Sequence, residues 1–396
     1  MKKKKIIFVI ESLVAAGAEK SLITFLSVLD KTKYEIDLQL FAYGGEFERY
    51  LPEEVNLLSP LDYTNFLEKS IWSQLISLDF SKLIARCRYS LAIRKKNLIH
   101  KDRARLFWKY VSGCIPKSDK KYDIAVAYAH DVPTLYVVDK ISARQKFAWV
   151  NVRYVPEGIN RIFYERYYSQ IDHIVAVSES AFQEFAGVYP NFSKKMMVIK
   201  DMLDGDLIKK QSMCPQERKY QEGFPTLLTV ARLNKPQKGY DITLEACKIL
   251  KDRNVKFKWY ALGCGEYRSE MDTFISKHHL EDYFIFLGTS SNPYPYIRNC
   301  MLYVQTSRHE GFGLSIAEAR ILNKPVVTTE FDAVWAQMVQ GDNGLVVPQN
   351  PVAVADAIER VLNDKKLYDH IVAYQKQEKK GNTEEIQKFY QLVENL

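Results

Sequence analysis

Short apolar runs separated by amphipathic stretches recur along nearly the whole chain. Runs at residues 6–10, 34–43, 123–129, 147–150, 174–177 and 198–199 read as strands, because a strand covered on both faces has no polar side to show. A second series follows at 226–231, 256–262, 284–287, 302–306 and 325–329. Between them apolar residues return at helical spacing, as at 21–29, from Pro133, from Leu314 and from Pro351 onward. Strands alternating with helices predict parallel α/β sheets with helices on both faces. Residues 201–225 break the rhythm with a polar stretch containing PQERKYQEG, which reads as a linker.

The length of 396 residues suits two domains, each with its own core. No apolar run approaches the ~20 residues of a membrane span. The lysines of 1–5 followed by IIFVI superficially resemble a signal peptide, but Glu11 interrupts the run early, and a first strand fits better. Six cysteines without paired spacing indicate neither zinc nor a disulfide framework, and a reducing cytoplasm is the simplest setting. The formal charge of +8 invites acidic partners such as phosphorylated ligands or anionic lipid; no nucleic-acid motif is present. Residues 65–110 read as helices carrying Arg86, Arg88, Arg94, Lys95, Lys96, Lys101, Arg103 and Arg105. They are either a solvated surface pair or a face resting on anionic lipid with Trp72, Leu106, Phe107 and Trp108 at the interface.

The stretch MLYVQTSRHEGFGLSIAEARILNK, 301–324, reads as strand, glycine-rich turn and helix. Its helix starts just after Gly311, Phe312 and Gly313, so unpaired N–H groups and the positive dipole end offer a site for a diphosphate. Glu310 and Glu318 can border that site without touching. At the C-terminal ends of first-domain strands, His130, Asp131 and Asn151 are placed to meet a second substrate. The first strand leads through Gly17 into a helix, yet no G-x-G-x-x-G appears, which argues against a dinucleotide oxidoreductase.

The spacing of Glu310 and Glu318 around Gly-Phe-Gly resembles the signature of the family 4 retaining glycosyltransferases, which have the GT-B fold: two doubly wound Rossmann-like domains facing each other across a cleft. The resemblance implies that Glu310 contacts the donor sugar, the 311–314 backbone through Leu314 holds the diphosphate, and Glu318 binds the ribose. Arg232 and Lys238 resemble the family's paired cations on that diphosphate. Gly263 follows a strand beside the same site, and the Ala16-Gly17 turn resembles the family's first loop, with Ala16 in place of a usual glycine. Asn151 stands where many members carry a histidine. Ser178-Glu179-Ser180 and the loop at 341–347 also resemble family turns. The expected organisation is an acceptor-side domain at 1–203, a linker at 204–225, a nucleotide-sugar domain at 226–382 and a helix at 383–396 crossing back. Asp204-Gly205-Asp206 mimics a metal-binding D-x-D but reads as a turn, and no metal or cofactor is expected. What this implies is a retaining, metal-independent transferase moving sugar from a nucleoside-diphosphate donor, a UDP-sugar, to a saccharide acceptor, plausibly lipid-linked, in cell-envelope or capsular polysaccharide synthesis. Such a protein would work in the cytoplasm, at the inner face of the membrane. A catalytically silent sugar-binding partner subunit and a GT-B nucleotide-sugar epimerase are the alternatives.

Overall fold

The computed structural model describes residues 3–14, 17–68, 79–94, 100–151 and 154–394. Ala16, Trp72, Lys95, Lys96 and the side chain of Lys101, all singled out above, lie outside the described residues. The chain divides into two units, residues 1–200 with 386–396, and residues 201–385.

In the first unit the described residues form a seven-stranded parallel sheet of β1 (Lys4–Ile10), β2 (Tyr34–Leu40), β3 (Val55–Leu57), β4 (Lys121–Ala127), β5 (Ser142–Val150), β6 (His173–Ala176) and β7 (Met196–Val198), in the order β3-β2-β1-β4-β5-β6-β7. Residues 6–10 are wholly apolar because helices cover both faces of this central strand. Helix Gly17–Val28 turns Leu22, Phe25 and Leu26 inward. Phe25 meets Phe8, Tyr128 and Trp149 edge-on, at centroid distances of 5.5 to 5.8 Å. The last helix, Ile386–Glu394, completes this face: Phe389 lies 5.1 Å from Phe25 and 5.6 Å from Phe147.

In the second unit the sheet of described residues contains β8 (Thr226–Val230), β9 (Lys258–Leu262), β10 (Phe284–Gly288), β11 (Leu302–Gln305), β12 (Val326–Thr329) and β13 (Leu345–Val347), in the order β10-β9-β8-β11-β12-β13, all parallel. The strand order reverses between β8 and β11. A crevice for a ligand opens outside the carboxyl ends of strands at such a reversal. Arg232 follows β8 and Glu310 follows β11, so the topology places at the reversal two residues that lie far apart in sequence.

Several expectations change. Residues 205–212, read as linker, form helix Gly205–Ser212 inside the second unit, with Ile208 buried. Asp204 caps it, its Oδ1 accepting from the N–H groups of Asp206 and Leu207 at 3.0 Å each. The D-G-D is thus a helix start. Trp108 is not an interfacial side chain: it is 1 % exposed, and its indole N–H donates to Asp139 at 2.7 Å. Phe107 packs beside Tyr63 and Tyr89. No helix of the described residues is long and apolar enough to cross a membrane.

Candidate functional site

The site in the second unit is assembled by two turns that brace each other. The one after β8 contains the short helix Lys235–Lys238, capped by the Asn234 side chain and closed by Gly239 in the left-handed conformation at φ 62°. A Cβ on Gly239 would lie 2.0 Å from the Thr306 carbonyl oxygen, so only glycine lets this turn approach the turn after β11. The two turns are then laced together. Thr306 Oγ1 lies 2.6 Å from Thr243 Oγ1, the Arg308 N–H donates to the Gln237 carbonyl at 2.8 Å, and the Arg308 guanidinium grips both oxygens of Asp241 at 2.9 and 2.7 Å. Burial pushes the Asp241 carboxyl up, but hydrogen bonds and charge from Arg308 outweigh it and hold the carboxyl below its ordinary range.

This bracing delivers Lys238 to Glu310. The Lys238 Nζ lies 2.6 Å from Oε1 and 2.7 Å from Oε2 of the carboxylate, with the side chains only 14 % and 10 % exposed. Arg232 stands exposed nearby in sequence and forms no ion pair among the described residues. Oε1 of Glu310 also accepts from Ser307 Oγ at 2.6 Å and from Gln305 Nε2 at 3.1 Å. Gln305 and Ser307 are residues that sequence reasoning missed. Their signal was present: Tyr303, Gln305 and Ser307 alternate along β11 and its exit, so they share one face, and polar groups on a buried strand need partners.

Helix Leu314–Ile321 begins at Gly313, whose φ of 86° is the left-handed conformation. The first helical hydrogen bonds are donated by Ile316 and Ala317 to the Gly313 carbonyl, which leaves the amides of Leu314 and Ser315 ahead of the first helical bond. The Gln337 side-chain amide, buried, donates to the carbonyls of Phe312 and, at 3.2 Å, Gly313. Glu318 is fully buried, and Tyr294, also missed, donates to its Oε1 at 3.2 Å. Gly263 directly follows β9, its N–H donating to the Gly288 carbonyl at 2.7 Å.

The first-unit candidates have a different character. Asp131 adopts φ 64°, and its carboxylate turns inward, accepting from Tyr154 OH at 2.8 Å at 1 % exposure. Asn151 donates to the Tyr128 carbonyl at 2.7 Å, tying the ends of β4 and β5. His130 is 21 % exposed, its ring 4.6 Å from that of Tyr154. Of the three it presents the most surface. Gly17 opens the first helix, and Ser178 caps helix Glu179–Val188 through the Ala181 N–H.

Residues 214–378 match the family described as glycosyl transferases group 1. An uncharacterized glycosyltransferase of Methanocaldococcus jannaschii is 23% identical over 228 residues, 53% of this chain and 56% of its own length. The N-acetylgalactosamine-N,N'-diacetylbacillosaminyl-diphospho-undecaprenol 4-alpha-N-acetylgalactosaminyltransferase of Campylobacter jejuni is 25% identical over 212 residues, 53% of this chain and 56% of its own. The chain thus spans about half the length of these relatives. In fold, Anabaena HepE, solved in complex with UDP and glucose, superposes with a TM-score of 0.68 at 18% identity, covering 99% of this chain and 100% of HepE. Residues 214–378 thus resemble the glycosyl transferases group 1 family, in a chain with the GT-B fold of two Rossmann-like units.

Proposed function

We propose that this protein is a retaining glycosyltransferase that moves a sugar from a UDP-sugar to a saccharide acceptor carried on a lipid, in cell-envelope or capsular polysaccharide synthesis at the inner face of the membrane. The observation that carries the reading is the Lys238–Glu310 pair, with Arg232 close by in sequence, at the strand-order reversal of a unit that resembles glycosyl transferases group 1 and just ahead of the start of helix Leu314–Ile321. In the reaction the bond from the anomeric carbon to the diphosphate breaks, and the acceptor hydroxyl oxygen bonds to that carbon from the same face. Its proton passes to the departing phosphate oxygen. Negative charge therefore builds on the diphosphate, where Arg232, Lys238 and the amides at the helix start stabilise it. Glu310 holds a sugar hydroxyl and Glu318 the ribose. Two cations and a helix terminus supply this counter-charge without a metal. UDP and glucose in HepE and the diphospho-undecaprenol in the Campylobacter enzyme's name support the donor and acceptor classes.

A thermal-shift panel of nucleotide sugars identifies the donor, since a ligand that binds only the native state raises Tm. Transfer from that donor to extracted lipid-linked saccharides should persist in EDTA and give product of unchanged anomeric configuration. Inversion, dependence on added Mg²⁺, epimerised sugar released without acceptor, or activity confined to a co-purifying homologue would each overturn the corresponding part.

The surface for lipid is helix Phe80–Ile93. Phe80, Ile84 and Leu91 are exposed at 64 %, 50 % and 65 %, and their spacing aligns them along one stripe beside exposed Arg88 and Arg94. Binding to vesicles containing anionic lipid should fall with added salt and in an Arg88→Gln, Arg94→Gln variant. Equal partition onto neutral vesicles would refute an electrostatic contact.

A further inference from the structure

Glu310 sits at the end of a directed chain of buried hydrogen bonds. Tyr303 OH donates to Gln305 Oε1 at 2.8 Å, Gln305 Nε2 donates to Ser307 Oγ at 2.8 Å, and Ser307 Oγ donates to Glu310 Oε1 at 2.6 Å. All three donors come from one face of β11 and its exit, and none is more than 3 % exposed. The direction of the links is set from the outer end, where the Glu310 carboxylate only accepts. That turns the Gln305 amide nitrogen toward Ser307 and Glu310 and its Oε1 toward the Tyr303 hydroxyl, whose proton has the Val230 carbonyl, at 3.3 Å, as a longer alternative acceptor. The two oxygens of the carboxylate are consequently unequal. Among the described residues, Oε1 receives Ser307, Gln305 and Lys238, whereas Oε2 receives Lys238 alone.

We infer that Gln305 and Ser307 are positioning residues that anchor Glu310 through Oε1 and leave Oε2 as the oxygen presented to a hydroxyl of the donor sugar. The inference rests on the glycosyltransferase reading and adds which oxygen works and what aims it. A carboxylate on a flexible side chain otherwise rotates, and a misplaced contact acts on the transition state more than on binding of the remote nucleotide. Ser307→Ala removes the shortest neutral link, and Gln305→Leu removes the amide at similar volume. Each should lower the single-turnover transfer rate about 10-fold or more, the scale of one hydrogen bond to a charged group, while UDP affinity stays within about twofold. Ser307→Thr, which keeps the hydroxyl, should restore most of the rate. Crystal structures of the two deletion variants should show the Glu310 carboxylate displaced or in more than one rotamer. A carboxylate unmoved in both variants overturns the inference, as does full transfer activity in both. If the wild-type protein transfers no sugar at all, the proposed function fails, and the carboxylate positions alone still decide whether these residues aim Glu310.

Discussion

At the scale of single residues, the pair between Lys238 and Glu310 joins two groups to which the proposed mechanism gives separate tasks, one on the diphosphate and one on the sugar. Glu310→Gln removes the charge facing the sugar and releases Lys238 toward the phosphates. Turnover should therefore drop by about 10- to 100-fold, the range for a hydrogen bond to a charged group, while calorimetry finds UDP affinity unchanged or tighter. Weaker UDP binding with normal turnover would contradict that division. A second residue-scale prediction concerns acid. The Asp241 carboxyl is held below its ordinary value in the fold by Arg308 against the opposing effect of burial, so the unfolded chain takes up this proton first as pH falls. The stabilisation is present above the ordinary carboxylate pKa and is lost as pH falls below it. Asp241→Asn should flatten the acid side of a denaturant-stability profile below about pH 4; an unchanged slope would show that Asp241 contributes nothing there. Glu310, Glu318, Arg232 and Lys238 were legible as candidates, from the strand, glycine-rich turn and helix pattern and from the family resemblance, and of these the structure pairs Lys238 with Glu310. The support beneath them was not legible. Gln305, Ser307, Tyr294 and Gln337 are polar residues in apolar surroundings, and nothing in a one-dimensional pattern says which buried polar atom each will meet.

Among elements, long and strongly patterned ones were legible, whereas of the three-residue strands only β7 overlaps a run read as strand. Each strand of four or more residues in the second unit matches an apolar run to within about two residues, the usual uncertainty of element ends. β3 and β13 are three residues each, too short for any periodicity, and exist because a neighbouring strand offers an edge. Helix Gly205–Ser212 hid in a polar stretch because only Gly205, Ile208 and Ser212 are buried. The start of helix Leu314–Ile321 is the element on which the proposed site depends, and Gly313 sets it. A Cβ there would lie 2.9 Å from Gln337 Nε2 and 3.3 Å from Phe331 Cζ, on a backbone at φ 86°. Gly313→Ala should cost about 1–3 kcal/mol in unfolding free energy and weaken UDP binding as the amides at the helix start shift. A variant with native UDP affinity would show that the diphosphate lies elsewhere.

For the molecule as a whole, the alternation of strand and helix announced two α/β units, but it did not show that one of them is made from both ends of the chain. The final helix contributes Ile386, Phe389 and Val393 to the first unit, with Tyr390 stacked on Tyr34 and its hydroxyl accepting from the Asp30 N–H at 2.8 Å. Phe389→Ala should cost about 3–5 kcal/mol, and limited proteolysis should then cut within residues 1–200 before 201–385. Cleavage in the opposite order would detach the helix from that core. This arrangement has a temporal side. During synthesis residues 201–385 leave the ribosome as one uninterrupted stretch, whereas the aromatic face around Phe25, Phe147 and Trp149 waits, uncovered, for residues 386–394. Residues 1–200 are made before 201–385 yet finished after them, so the nascent chain spends that interval with this face open to chaperones, and a pause before residues 386–394 emerge prolongs its exposure to misassembly.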